Sequence, residues 1–136
     1  MGGTMTDRAR PEQLWMVRHG ESTGNAARAI ATRFHAVVAL KGRETHIVDP
    51  DWQHYVNTVG NVGLAVSGSG DVLVGIIGGL LARGAAPLQA AIWGVHLHAL
   101  AADELAETVG PLGYLPREIP ARLPTLLATL AGTPHG

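Results

Sequence analysis

Nine residues, Ser67-Gly-Ser-Gly-Asp-Val-Leu-Val-Gly75, bring together three features that handle phosphate. The glycines let the backbone turn with its N–H groups facing outward. A helix is expected directly afterward, so its unpaired N–H groups and the positive end of its dipole address the same spot. Asp71 adds a carboxylate where that helix starts. Gly68, Ser69 and Gly70 are therefore candidate residues of an anion cradle. Asp71 is a candidate base toward a nearby hydroxyl, or an orienting group for a polar ligand. The same residues also fit an Asp N-cap that closes a flexible loop, and spacing alone leaves both readings open.

The surrounding chain must hold this loop in place. Leu14–Val17 and Ala36–Leu40 read as short buried strands, with Thr45–Pro50 and the segment Trp52–Asn57 as further ones, forming a small sheet edge around Lys41. Between the first two, apolar Ala26, Ala29, Ile30 and Phe34 recur at helical spacing behind an N-cap at Ser22 or Asn25. Asp49-Pro50-Asp51 is a turn, and Thr58–Gly70 is a long glycine-rich loop. Three helices are expected after it: one from Asp71 ending at Gly84, a long one opened by Pro87, and a last one starting near Pro120. The pattern is mixed α/β, with strands preceding helices.

Composition narrows the function classes. A formal net charge of -1 without a basic stripe argues against nucleic-acid binding. With no cysteine there are no disulfides and no thiolate metal sites, and a reducing cytoplasm is the default expectation. The most apolar run, Val72–Ala82, is too short to span a bilayer and reads as a buried helix. His96 and His98 lie two apart on the long helix and point to different faces, which suits packing better than one shared metal ion. His35, His46 and His54 show no recognisable ligand spacing, so no metal site is assigned. Trp52 and Tyr55 are read as surface packing, and Asp103, Glu104 and Glu107 as a solvated helix face without chemistry.

The segments VVALKGRETHIVDP, YVNTVGNVGLAVSGSGDVLVGIIGGLLARG and AAIWGVHLHALAADELAE together resemble the C-terminal half of the ADP/ATP-dependent NAD(P)H-hydrate dehydratases. That family sits in the ribokinase-like superfamily, and the likeness runs from about Ala26 to Leu130. The resemblance implies a partial ribokinase-like three-layer α/β fold, short strands followed by three helices, lacking the N-terminal half of the family's sheet. It implies repair of hydrated nicotinamide cofactors, NADHX and NADPHX, at the expense of ADP or ATP, with Mg2+ accompanying the nucleotide. By the same resemblance Lys41, Gly42, Arg43, Glu44 and Thr45 lie against the nucleotide, with Gly68, Ser69 and Gly70 on its phosphate side. Asp71 and Asn61 meet the hydrated substrate, and Asp71 is the acid/base. An uncovered sheet edge is then expected, closed by a homo-oligomer or a partner.

The opening stretch LWMVRHGESTGN resembles a second family, the histidine phosphatase (phosphoglycerate mutase-like) superfamily. There a strand ends in Arg-His-Gly, which casts His19 as a phosphoryl acceptor and Arg18 as its phosphate ligand. No later strand ends in His-Gly to complete such a pocket. The expected organisation is a flexible tail over 1–13, a histidine-phosphatase-like segment over 14–25 and a ribokinase-like half-domain over 26–132. A non-catalytic nucleotide-binding or self-associating fragment is the remaining alternative.

Overall fold

The computed structural model describes the backbone of residues 13–18 and the chain from 24 to 132. The expected tail, the N-cap at Ser22 and His19 lie outside these described residues. Two compact units emerge, one of residues up to Thr58 with Ala85–Ile92, the other of Val59–Gly84 with residues from Trp93 onward.

The first unit is a four-stranded sheet in the order β1-β2-β3-β4. Strand β1 (Gln13–Arg18) runs parallel to β2 (Ala36–Lys41), and helix α1 (Gly24–Phe34) forms the crossover between them. Parallel neighbours need such a crossover, because a short turn cannot reverse direction twice. Strands β3 (Thr45–Val48) and β4 (His54–Asn57) continue antiparallel. Strand β2 is buried along Ala36–Leu40, as its unbroken apolar run implies.

Helix α1 packs on the sheet through Ala27, Ala31 and Ile30, against Val38, Leu40 and Val48. The expected stripe of Ala26, Ala29, Ile30 and Phe34 is out of phase with this: Phe34 is 44% exposed, with the Arg33 guanidinium over its ring. The two fully buried alanines, four apart, let the helix axis approach the sheet closely, which a phenylalanine on that face would prevent. His35 takes a φ of 46°, a left-handed turn that ends α1 and starts β2.

The second unit is helical. Helix α2 (Ser69–Ala82), helix α3 (Pro87–Thr108), whose part from Trp93 onward belongs here, and helix α4 (Leu123–Leu130) supply its frame. Its core joins Leu97, Ala101, Ala102 and Leu105 of α3 to Tyr114, Ile119 and Leu126, with Val72, Ile76 and Leu80 packed against them. Gly94 makes room for α2: a Cβ there would sit 2.4 Å from Ile77 Cγ1. Helix α2 is not the buried helix its apolarity implies. Leu73 and Ile77 are buried, whereas Val74, Gly75, Gly78 and Gly79 face outward. The last helix also begins later than expected. Pro116 and Pro120 each open a separate 3-10 turn, and α4 starts only at Leu123, with Pro124 in its first turn. Each proline removes an amide donor, so the helix is entered in steps. Among the described residues no helix is long and apolar enough to cross a membrane.

Candidate phosphate cradle

Helix α2 begins two residues earlier than the sequence implies, so Ser69 and Gly70 lie in its first turn. Its N-cap is Gly68, at a φ of 93°, with no side-chain cap bond. A left-handed φ is cheap for glycine and costly for residues with a Cβ. Asp71 is therefore not the N-cap. It stands exposed in the first turn, and among the described residues its carboxylate has no hydrogen-bond or ion-pair partner. The capping alternative thus fails on geometry, and the carboxylate is free for a ligand.

The amides of this turn divide into two sets. Ser69 N–H donates to the Val66 carbonyl and Val72 N–H to the Gly68 carbonyl, both at 3.2 Å. Between them, the Gly70 and Asp71 amides donate to no upstream carbonyl among the described residues. A Cβ built on Gly70 would meet nothing within 4 Å. Two free amides, an open approach, a helix N-terminus and an exposed carboxylate thus share three residues, which is the arrangement an anionic ligand needs.

The loop leading to this turn is pinned from α3. Asp103 accepts from Gly60 N–H at 3.1 Å and from Asn61 Nδ2–H at 2.8 Å. Asn61 Oδ1 accepts from Gly63 N–H at 3.0 Å and from the Tyr114 hydroxyl at 2.7 Å, so Asn61 caps the 3-10 turn Val62–Leu64. Burial pushes the Tyr114 hydroxyl above its ordinary range, reinforced by the nearby Asp103 charge and opposed by the Asn61 bond. Two expectations change here. Asp103 is a structural acceptor rather than part of an idle solvated face, and Asn61 spends its oxygen and one amide hydrogen on the scaffold. Sequence reasoning missed Tyr114 altogether; its only local signal is an aromatic in a Gly-Pro-rich loop.

At the start of α2, Ser69 is 1% exposed and its side chain turns inward. His98, 3% exposed, meets it twice, with Nε2 3.2 Å from Ser69 Oγ and 3.0 Å from the Ser69 carbonyl oxygen. Of the histidine pair on α3, His98 is the packed member, while half-buried His96 sits edge-on to Trp93.

The remaining sequence candidates fall in the first unit. Lys41 ends β2 and Thr45 opens β3, paired in register, with Gly42, Arg43 and Glu44 exposed in the connecting turn. Arg18 ends β1 opposite Lys41. On the α1 side of β3 and β4, the Arg28 guanidinium donates to His54 Nδ1 at 3.4 Å, and His54 Nε2–H donates to His46 Nδ1 at 2.9 Å. Burial, then His46, then Arg28 hold the His54 imidazole below its usual pKa. Among the described residues no three His, Cys, Asp or Glu side chains gather as a metal site. A cavity of about 560 Å³ lined by Leu105, Arg117, Glu118, Ala121, Arg122 and Thr125 includes none of the sequence-predicted residues.

A family profile described as NAD(P)H-hydrate dehydratase (Carb_kinase) matches residues 11–125. The chain is 44% identical over 104 residues to the ADP-dependent (S)-NAD(P)H-hydrate dehydratase of Xanthomonas campestris, covering 76% of this chain and 36% of that protein. It superposes on the Bacillus subtilis ADP/ATP-dependent NAD(P)H-hydrate dehydratase co-crystallised with ATP/Mg2+ at a TM-score of 0.74 and 31% identity, covering 78% of this chain and 38% of that one. A ribokinase-like superfamily protein from Enterococcus faecalis gives a TM-score of 0.75 at 29% identity, over 88% of this chain and 45% of that one. The chain thus spans less than half the length of each of these proteins.

Proposed function

Since the chain belongs to the NAD(P)H-hydrate dehydratase family, we propose that it takes part in dehydrating NADHX and NADPHX at the expense of ADP or ATP. The observation that carries this reading is the pair of unengaged amides at Gly70 and Asp71, beside an exposed carboxylate at a helix N-terminus. Gly68, Ser69 and Gly70 form the phosphate cradle. Lys41, Gly42, Arg43, Glu44 and Thr45 are the nucleotide residues of the β2–β3 turn. Asn61 shapes the substrate-side loop through its bonds to Asp103, Gly63 and Tyr114. The cradle residues suit phosphate oxygens rather than a bare metal ion. Mg2+ is accordingly assigned to the nucleotide phosphates, since it keeps most of its waters and needs few protein carboxylates.

The chemistry asked of Asp71 is one proton transfer. Its carboxylate accepts the proton of the hydroxyl on the hydrated ring as that oxygen attacks the terminal phosphorus of the nucleotide. The bridging P–O bond breaks, and the shortened nucleotide keeps its electron pair. Phosphate then leaves the ring carbon with the former hydroxyl oxygen, a proton leaves the adjacent carbon, and the double bond returns. The cradle amides favour the charge that builds on the phosphoryl oxygens.

The test is spectrophotometric: NADHX with ADP or ATP should yield NADH in the presence of the protein. Asp71→Asn should lower the rate by about 10²–10⁴-fold, the usual worth of a positioned base, while ADP still binds. Unchanged turnover in Asp71→Asn would remove the assignment.

We further propose that the chain self-associates, or meets a partner, along β4. Among the described strands β4 is an edge, and Tyr55 and Val56 on it are exposed.

A further inference from the structure

We propose that His98 is a positioning residue for the phosphate cradle, fixing the direction of the Gly70 amide by holding the carbonyl on the other side of the same peptide bond. The inference rests on reading Gly68–Asp71 as the nucleotide cradle.

The Ser69 carbonyl and the Gly70 N–H belong to one trans peptide group, so they point in opposite directions and turn together. His98 Nε2 lies 3.0 Å from that carbonyl oxygen. A carbonyl only accepts, so Nε2 carries the hydrogen. The Ser69 hydroxyl, 3.2 Å away, shares this one hydrogen as a second acceptor. With its Nε2 already protonated, the imidazole cannot act as a base toward Ser69 Oγ. The contact is therefore not a nucleophile–base pair, and burial of Ser69 agrees with that. What it does is hold the carbonyl inward, which turns the Gly70 N–H the opposite way; beside it, a Cβ on Gly70 would meet nothing within 4 Å.

Such a hold adds to what the first turn of α2 already imposes, because Ser69 sits between two glycines at the end of that helix, where fraying is easiest. Asp103, five residues beyond His98 on α3, fastens Gly60 and Asn61. Helix α3 thus grips the loop on both sides of its glycine-rich stretch. Preorganised donors bind and stabilise charge better than donors that must be gathered on binding.

Two variants and the unaltered protein test this. His98→Leu removes the donor, and His98→Gln returns an N–H at similar reach. ADP affinity by calorimetry should fall on the order of ten- to a hundredfold in His98→Leu, the scale of a displaced binding group. It should recover in His98→Gln. In unliganded protein, the Gly70 amide resonance should broaden or lose order in His98→Leu alone. Equal ADP affinity and an unchanged Gly70 amide in His98→Leu would overturn the proposal. Should that variant not fold, the His98 tautomer in the wild-type protein decides by ¹⁵N shifts: Nε2–H supports the proposal, and Nδ1–H with a bare Nε2 refutes it. Wild-type protein that binds no ADP would sink the nucleotide reading, while the Gly70 amide and the tautomer would still judge His98.

Discussion

Two glycines of the cradle look alike in sequence and carry opposite expectations. Gly68 sits at a φ of 93°, so Gly68→Ala should cost about 1–3 kcal/mol, read by urea denaturation. Gly70 has helical neighbours and empty space where a Cβ would go. Gly70→Ala should leave stability unchanged or raise it by up to about 1 kcal/mol, yet weaken ADP binding, because the methyl enters the ligand's approach. The cradle motif was legible because its requirements are local: a turn, a helix start and one acid within a few residues. The inward turn of Ser69 was not, since His98 imposes it from 29 residues away. A second residue-level expectation concerns His54. Its folded pKa lies below the ordinary value of 6.5, so the unfolded chain takes up the proton first. The contribution to stability is complete above about pH 6.5 and is lost as pH falls through that value toward the folded one. Thermal melts from pH 7.5 to 5.5 should show a steeper decline for wild type than for His54→Gln.

At the scale of elements, burial pattern proved a better guide to strands than to helix faces. Strand β2 declares itself through an unbroken apolar run, whereas the inward face of α1 does not follow from apolarity, since phenylalanine is apolar yet lies on the exposed side. Packing distance decided instead, and it selected Ala27 and Ala31. Helix α3 opens at Pro87, as the sequence implies, but the role of Asp103 is not legible there, because its partners lie 42 and 43 residues upstream. Tyr114→Phe tests this loop scaffold. It removes the donor to Asn61 Oδ1 and should cost about 1–2 kcal/mol, with Asn61 still capping Gly63. Gly94→Ala tests the α2–α3 contact. The added methyl meets Ile77, so a loss of about 1–3 kcal/mol is expected by denaturant titration.

For the whole molecule, the family likeness covers most of this chain but well under half of its relatives. Val74 on α2 and Tyr55 and Val56 on the edge strand β4 are exposed. Val56→Lys, which places a charge on that edge, should shift sedimentation toward the monomer if β4 mediates association. Fold class was legible at this scale because strand and helix periodicities are properties of the sequence. Which strand forms the edge was not, because an edge strand and a paired one can share the same pattern. The central claim is that the loop-to-helix junction at Gly68–Asp71 receives a nucleotide's phosphates. Calorimetric titration of ADP into wild-type protein and into Gly70→Val, with thermal melts alongside to certify folding, tests it most directly. Saturable binding by wild type that is lost in a folded Gly70→Val is the predicted result. Equal binding by both proteins, or none by either, would contradict it.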